Sequence, residues 1–391
     1  MVTKLAILTS HPIQYYAPVF AKLAAKDGIE LHVFYGDKGS VGSESFDEGF
    51  GQKVQWDIPV LEGYEHTVLP NHSANPGVSS FSGLDCRDIG RRIGEWNPDA
   101  LLVYGWCYKS HLRALRYAKG RCVTLFRGDS TLLDPKTGFR KLLRDFWLRW
   151  IYRHVDGAFN VGKSNREYFL KYGLRPKQLE FAPHSIDNDR FSAEGKERED
   201  EAKAWRAELG IPEDSVTVLF VGKLQGKKAP DLLLDAFAKS GLENAHLIFA
   251  GSGEMEDELK AAAGERVHFV GFQNQSRMPT AYRLGDLLAL PSRGPGETWG
   301  LAVNEAMACS RPVLVSDRCG CAADLVIPGK TGKVIDPFDV NSVIAALKEL
   351  CLDRTRLHEM GRESFKLIED WSIGVQAEQI ERGLRRFTQR R

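Results

Sequence analysis

Two glutamates, Glu297 and Glu305, stand in the stretch Leu290–Ser310, LPSRGPGETWGLAVNEAMACS. An apolar strand ends at Pro291, a Gly/Pro loop follows, and a helix opens near Gly300. The opening amides of a helix have no intrahelical acceptors and point at whatever sits before them. Glu297 falls in the loop ahead of that helix, and Glu305 more than a turn inside it. Carboxylates accept hydrogen bonds from vicinal hydroxyls, so two of them placed this way suit a polyol ligand. The plainer alternative makes Glu297 a partner of the helix dipole and Glu305 a solvated face residue. Ala302, Ala306, Met307 and Cys309 make this helix nearly all apolar, which weighs against a solvated Glu305.

A second stretch, Phe220–Asp231 (FVGKLQGKKAPD), carries cations. Gly222, Lys223, Gly226, Lys227 and Lys228 lie between an apolar strand and a helix starting at Pro230. A glycine-rich, lysine-bearing turn before a helix N-terminus is an anion site. The GxxxxGK[ST] order is absent, so it is not a Walker loop; solvated lysines are the alternative. A third stretch, Phe249–Glu254 (FAGSGE), runs a strand into Gly251-Ser252-Gly253, which alone signals only a tight turn.

These loops need a scaffold of alternating strands and helices. In the first half, Lys4–Thr9, Glu30–Tyr35, Ala100–Tyr104, Cys122–Phe126 and Gly157–Val161 read as strands. Pro18–Lys26, Ser110–Lys119, Phe139–Arg153 and Ser164–Lys171 read as helices. The long Gly/Ser/Asn/Pro-rich stretch from Gly36 to about Gly83 resists assignment. Residues 188–211 are highly charged with little apolar periodicity and read as a linker with one solvated helix. A second set of strands then begins: Val216–Val221, His246–Ala250, Val267–Val270, Leu287–Leu290, Pro312–Ser316 and Lys333–Ile335. Helices Pro230–Lys239, Glu254–Ala263, Leu301–Cys309 and Val340–Leu350 intervene. Both halves are α/β patterns with parallel, doubly wound sheets. Two such domains facing each other would leave a cleft at the carboxyl ends of their strands, where open α/β sheets place ligands.

Composition narrows the function. The 391 residues carry 53 Lys plus Arg against 52 Asp plus Glu. That balance argues against a dedicated nucleic-acid binder, which needs surplus cations. No apolar run approaches the ~20 residues needed to span a bilayer, and the N-terminal MVTKLAILTSHPIQ lacks the long apolar region of a signal peptide. A cytoplasmic start is expected. The seven cysteines are odd in number and scattered, which suits reduced thiols packed as small apolar groups.

The C-terminal half resembles a family 4 retaining glycosyltransferase of GT-B architecture, with two Rossmann-like domains. The motif E-x-[FY]-G-x-x-x-x-E is matched by Glu297-Thr-Trp299-Gly300-Leu301-Ala-Val-Asn-Glu305, and G-[RK]-L-x-x-x-K by Gly222, Lys223, Leu224 and Lys228. An AGxGxE turn is matched by Ala250 to Glu254, and a strand-ending PS by Pro291-Ser292. Order and spacing agree over about Val216–Leu350. Two departures stand out. Ala229 replaces a usual glycine, and Cys319-Gly320-Cys321-Ala-Ala-Asp324 replaces Gly-Gly-x-x-Glu. The resemblance implies that Lys223 and Lys228 hold the donor's diphosphate. Glu297, with the amides of Trp299, Gly300 and Leu301, binds the transferred sugar, and Glu305 binds the ribose hydroxyls. Gly222, Gly251, Gly253 and Ser292 line the donor site, and the loop at Gly271-Phe272 contacts the base through its backbone.

The N-terminal half resembles the family less specifically. Its loop Ser10-His11-Pro12-Ile13-Gln14-Tyr15-Tyr16-Ala17-Pro18 looks like a subgroup of bacterial polysaccharide glycosyltransferases that start with HPIQYY. His11 is a catalytic candidate there, with Gln14 and Tyr15 on the acceptor side; the alternative packs Tyr15 and Tyr16 on the first helix. Many relatives carry a histidine after a middle strand, where this chain has Arg127-Gly128-Asp129. Arg127 is the candidate replacement, and Asp129 either contacts the acceptor or caps a turn. His184 stands where relatives often have asparagine and reads as a hinge-side residue.

The resemblance implies domains at 1–187 (acceptor-binding, joined by a C-terminal helix at 371–391) and 212–370 (donor-binding). It also implies sugar transfer, with retention, from a nucleoside-diphosphate sugar to a hydroxyl of a glycan, glycolipid or small molecule. UDP ranks ahead of GDP. No cofactor or metal is expected: no DxD-type pair follows a donor-domain strand, and the lysines supply the charge. A GT-B epimerase or phosphorylase, or a non-catalytic sugar-binding protein, would share the donor-site geometry. A dehydrogenase is poorly supported, since no G-x-G-x-x-G follows either opening strand. Finally, Arg140–Arg153 (RKLLRDFWLRWIYR) interleaves cations and aromatics at helical spacing, and the tail ERGLRRFTQRR adds Arg382, Arg385, Arg386, Arg390 and Arg391. Both suit peripheral contact with the anionic inner face of a membrane; the alternative buries the aromatics under a sheet.

Overall fold

The computed structural model describes residues 2–39, 45–47, 52–54, 57–134 and 138–389. The chain divides into two compact units. One comprises Met1–Ser45, Ile58–His184 and Ile373–Arg391; the other comprises Phe46–Asp57 and Ser185–Ser372.

The strands of the first half are β1 (Thr3–Thr9), β2 (Ile29–Tyr35), β3 (Ser45–Asp47), β4 (Gln52–Val54), β5 (Glu65–Val68), β6 (Ala100–Tyr104), β7 (Val123–Arg127), β8 (Gly157–Asn160) and β9 (Leu179–Phe181). β3 and β4 pair with each other, and the rest form a parallel sheet ordered β5-β2-β1-β6-β7-β8-β9. The strands read as unbroken apolar runs because both sheet faces are covered. Alternate side chains go to opposite cores: Leu5, Ile7, Val33 and Leu102 to one, Ala6, Leu8, Phe34 and Leu101 to the other. Strand order reverses between β1 and β6, so the loops leaving those strands diverge to opposite faces. The helix Ile373–Thr388 packs in this unit, with Phe387 edge-on to Phe159 and Glu381 ion-paired to Lys26 at 2.7 Å.

The second unit holds β10 (Val216–Val221), β11 (Ala245–Ala250), β12 (Val267–Gly271), β13 (Leu287–Leu290), β14 (Val313–Ser316) and β15 (Gly332–Ile335), all parallel and ordered β12-β11-β10-β13-β14-β15. Here the order reverses between β10 and β13. The lysine-bearing loop follows β10, and the loop carrying Glu297 follows β13. The two stretches singled out by chemistry therefore leave the sheet side by side at its reversal point.

Residues 188–211 do not form a free linker: they fold as helices Asn188–Ser192 and Gly195–Glu208 within the second unit. The second helix has almost no apolar stripe because ion pairs anchor it. Buried Arg206 donates to Asp286 at 3.2 Å and to the Ser215 carbonyl at 2.8 Å, and Glu199 accepts from Arg311 at 2.6 Å. Helix Arg354–Ile368 was also not expected, because its buried stripe of Leu357, Met360, Gly361, Ser364 and Ile368 includes a glycine and a serine. Among the described residues no helix is long and apolar enough to cross a membrane.

Candidate functional site

In the second unit, the structure brings Glu297, Lys228 and Ser292 together. Lys228 is ion-paired with Glu297, and Ser292 Oγ donates to Glu297 Oε2 at 3.0 Å. Backbone bonds hold the loops that carry them: the amides of Arg293 and Gly294 donate to the Lys227 carbonyl at 3.0 and 3.2 Å. The Cys319–Cys321 turn fastens the other side of the Glu297 loop. The Gly320 amide donates to the Glu297 carbonyl at 3.1 Å, and the Cys321 amide to the Trp299 carbonyl at 3.0 Å. The turn that departs from Gly-Gly-x-x-Glu thus makes backbone contact with the motif. Burial pushes the Cys319 thiol up to about 12, so it packs as a neutral group.

Gly300 opens helix Leu301–Ala308 in the left-handed region at φ 98°, leaving the amides of Leu301 and its successors at the helix start. The Trp299 side chain is an anchor: its Nε1 donates to Asn304 Oδ1 at 2.8 Å, and its ring lies 5.1 Å from that of Trp371. Glu305 is buried, only 3% exposed, and accepts from the Tyr282 hydroxyl at 2.5 Å. Tyr282 was missed at the sequence level. It sits on helix Met278–Arg283, whose MPTAYR sequence carries no motif.

Lys223 is half-buried just past β10, and Lys227 is exposed. Gly222, Gly251 and Gly253 let two loops touch. The Leu224 amide donates to the Ser252 carbonyl at 2.9 Å, and the Met255 amide to the Leu224 carbonyl at 3.0 Å. A Cβ on Gly251 would lie 1.9 Å from the Gly222 carbonyl oxygen. Ala229 takes the left-handed conformation at φ 55° that a glycine would adopt without cost, which explains the glycine usual in the resembling pattern. Phe272 follows β12 in a half-buried turn.

In the first unit, the expected residues gather at the carboxyl ends of the strands. His11 follows β1, with Nδ1 3.0 Å from Ser10 Oγ; burial lowers its pKa, and Asp37 partly opposes that. Gln14 and Tyr15 are half-buried in the same loop. Arg127 ends β7 and is 2% exposed. Its two terminal nitrogens donate to the Ala182 and Pro183 carbonyls, each at 2.8 Å. These bonds fix the chain just before His184. That residue is buried, its ring 6.5 Å from that of Tyr16. Burial holds its pKa at about 4, with Asp129 raising it and Arg127 lowering it. So Arg127 and His184, both buried, and Asp129 and Tyr16, both half-buried, form one electrostatic cluster.

Comparison with known proteins extends this geometry. The Glycosyl transferases group 1 family profile matches residues 201–367. D-inositol 3-phosphate glycosyltransferase of Nocardia farcinica is 34% identical over 345 residues, covering 78% of this chain and 72% of that protein. D-inositol 3-phosphate glycosyltransferase 2 of Catenulispora acidiphila is 31% identical over 207 residues, covering 48% of this chain; the chain thus matches only 46% of that relative's length. Among solved structures, HepE of Anabaena in complex with UDP and glucose superposes with a TM-score of 0.73 at 17% identity, covering 98% of this chain and 100% of that one. The shared architecture is GT-B, built from two Rossmann-like parallel-sheet domains. With its motif loops at the reversal point of the second sheet and its extended match to the Nocardia protein, this chain belongs to the group 1 glycosyl transferase family.

Proposed function

We propose that the protein is a retaining glycosyltransferase that moves a sugar from a nucleoside diphosphate, UDP ahead of GDP, to a hydroxyl of a glycan, glycolipid or small molecule. The observation that carries this reading is the Lys228–Glu297 pair at the β10/β13 reversal, next to a helix start. A cation, a carboxylate and outward amides at one point can hold a diphosphate and the sugar attached to it. The named activity of the Nocardia relative and the UDP and glucose bound by HepE agree with it.

In this mechanism the transition state is oxocarbenium-like, and negative charge grows on the leaving diphosphate. Lys223, Lys228 and the amides at Gly300 and Leu301 stabilise that charge, the type of contribution that is often largest in catalysis. Glu297 orients the transferred sugar, and Ser292 orients Glu297. Glu305, oriented by Tyr282, accepts the ribose hydroxyls. Attack comes on the face the diphosphate leaves, with a leaving phosphate oxygen accepting the acceptor proton, which gives retention. Gln14, Tyr15 and Asp129 serve the acceptor, and His11 is the first unit's catalytic group. No metal is required. A cytoplasmic enzyme in peripheral contact with an anionic membrane completes the reading, and the resemblance of its HPIQYY loop to polysaccharide glycosyltransferases supports a glycan or glycolipid acceptor.

The test is nucleoside diphosphate release from a panel of UDP- and GDP-sugars. Slow hydrolysis of one donor, lost in Lys228→Ala and Glu297→Gln, supports the reading. No release from any donor, with no donor binding by calorimetry, overturns it.

A further inference from the structure

The helix Gly138–Tyr152 carries two apolar faces, and among the described residues only one is packed into a core. Leu148, Ile151 and Tyr152 are buried in the first unit's core, with Tyr152 edge-on to Phe126 at 5.4 Å. On the other face Phe139 is 72% exposed and Phe146 73%, with Leu142, Leu143 and Trp147 also exposed. Positions 139, 142, 143 and 146 follow the i, i+3, i+4, i+7 spacing of one helix stripe. A contiguous exposed stripe of large apolar side chains marks an interaction surface.

At its C-terminal end this stripe runs into an open cavity of about 1220 Å³, which Phe146 helps to line. The cavity's cations are Lys119, Arg149, Arg153, Arg175 and Lys177. Its lining carboxylate, Asp156, accepts from Lys119 at 2.8 Å, and Arg175 Nε donates to Gln178 at 3.0 Å. Among the described residues, neither Arg149 nor Arg153 has a carboxylate at ion-pair distance. Apolar insertion and surplus positive charge therefore adjoin on one surface. Arginine forks suit phosphate oxygens, and an apolar stripe beside such cations matches the acyl boundary of a bilayer beneath its phosphates.

We propose that this surface docks the protein on an anionic phospholipid bilayer. Phe139, Leu142, Leu143 and Phe146 enter the acyl boundary, and the cavity beside Arg149 and Arg153 takes a lipid phosphate. The site is narrower than the sequence suggests. Arg382 and Arg386 of the C-terminal helix are both paired with Glu180, and Arg385 with Glu381. Arg382 and Arg386 thus serve the first sheet and Arg385 its own helix; Arg390 and Arg391 lie outside the described residues, as does the side chain of Arg140. The proposal adds a site to the peripheral membrane contact read above, and it stands whatever sugar is transferred.

The test is co-sedimentation of the full chain with phosphatidylcholine vesicles, with and without phosphatidylglycerol, at low and high salt. The expected result is binding that needs phosphatidylglycerol and weakens with salt. Arg149→Gln and Arg153→Gln should each weaken it about fivefold, and Phe146→Ser should weaken it while keeping the preference for anionic lipid. Unchanged binding in all three variants, equal binding to both vesicle types, or no binding at low salt would each overturn the proposal. Phosphate added at constant ionic strength should not release the protein; release would assign the cavity to a soluble anion instead and overturn the lipid assignment. Donor hydrolysis without vesicles should be unchanged in these variants, so failed docking and failed transfer chemistry give different results.

Discussion

Glu297 Oε2 is shared: it is ion-paired with Lys228 and accepts the Ser292 hydroxyl. The lysine comes from the loop after β10 and the carboxylate from the loop after β13, so the pair fastens two strand ends together. Groups that act as a unit lose function together rather than in proportion. Lys228→Ala and Glu297→Gln should each lower turnover on the order of 10²-fold. The double variant should fall less than about tenfold further. A double loss equal to the product of the singles would mean that the two act independently.

Glu305 and Tyr282 should behave otherwise. Their hydrogen bond is buried, and Glu305 is assigned to the ribose rather than to the reacting carbon. Glu305→Gln should raise the donor KM with kcat nearly unchanged. Tyr282→Phe should do the same more weakly, by freeing the carboxylate to rotate. Nucleotide affinity by calorimetry checks this; wild-type affinity in Glu305→Gln would remove the ribose role.

Transfer should survive EDTA. Lys223 and Lys228 are assigned the charge that a divalent ion would otherwise supply at the leaving group. Loss of activity in chelator with recovery on adding Mg²⁺ or Mn²⁺ would overturn that assignment.

The motif loops were legible because their chemistry is local: Lys228 and Glu297 each sit in a loop that follows a strand announced by an apolar run. Most strands of both sheets were legible for the same reason, since burial on both faces leaves runs such as VTVLFV unbroken. Partners contributed by silent elements were not. Tyr282 reaches Glu305 from a six-residue helix without a motif. The helix Gly195–Glu208 looked solvated because ion pairs such as Arg206–Asp286, not an apolar stripe, hold it. Sequence spacing could not reveal that the Arg127 guanidinium also donates to two backbone carbonyls.

His184 and His111 make stability depend on acid. Burial holds each near a pKa of about 4, against an ordinary value of 6.5. Between those values the unfolded chain binds more protons than the folded one, so stability is full above about 6.5 and falls as pH drops toward 4. His184→Asn removes one of the two buried sites. The urea midpoint should fall less between neutral pH and about pH 5 in that variant than in wild type. An unchanged fall would show that His184 takes no part.

The contact between the loops after β10 and β11 rests on missing side chains, and it can be broken one methyl at a time. Gly251 has φ 148°, and a Cβ there would lie 1.9 Å from the Gly222 carbonyl oxygen; Gly253 has φ 157°, with a Cβ 2.6 Å from that of Leu224. Both clashes are with backbone, so relief requires the lysine-bearing loop to move. Gly226 is the control: it lies in the same loop, and a Cβ there meets nothing within 4 Å. Gly251→Ala should therefore cost about 3 kcal/mol of stability and weaken donor binding by displacing Lys223. Gly226→Ala should leave stability within about 0.5 kcal/mol of wild type. Urea unfolding gives the first quantity and nucleotide titration the second. If Gly251→Ala and Gly226→Ala matched in both, the close packing of these loops would have no bearing on how the lysines are held.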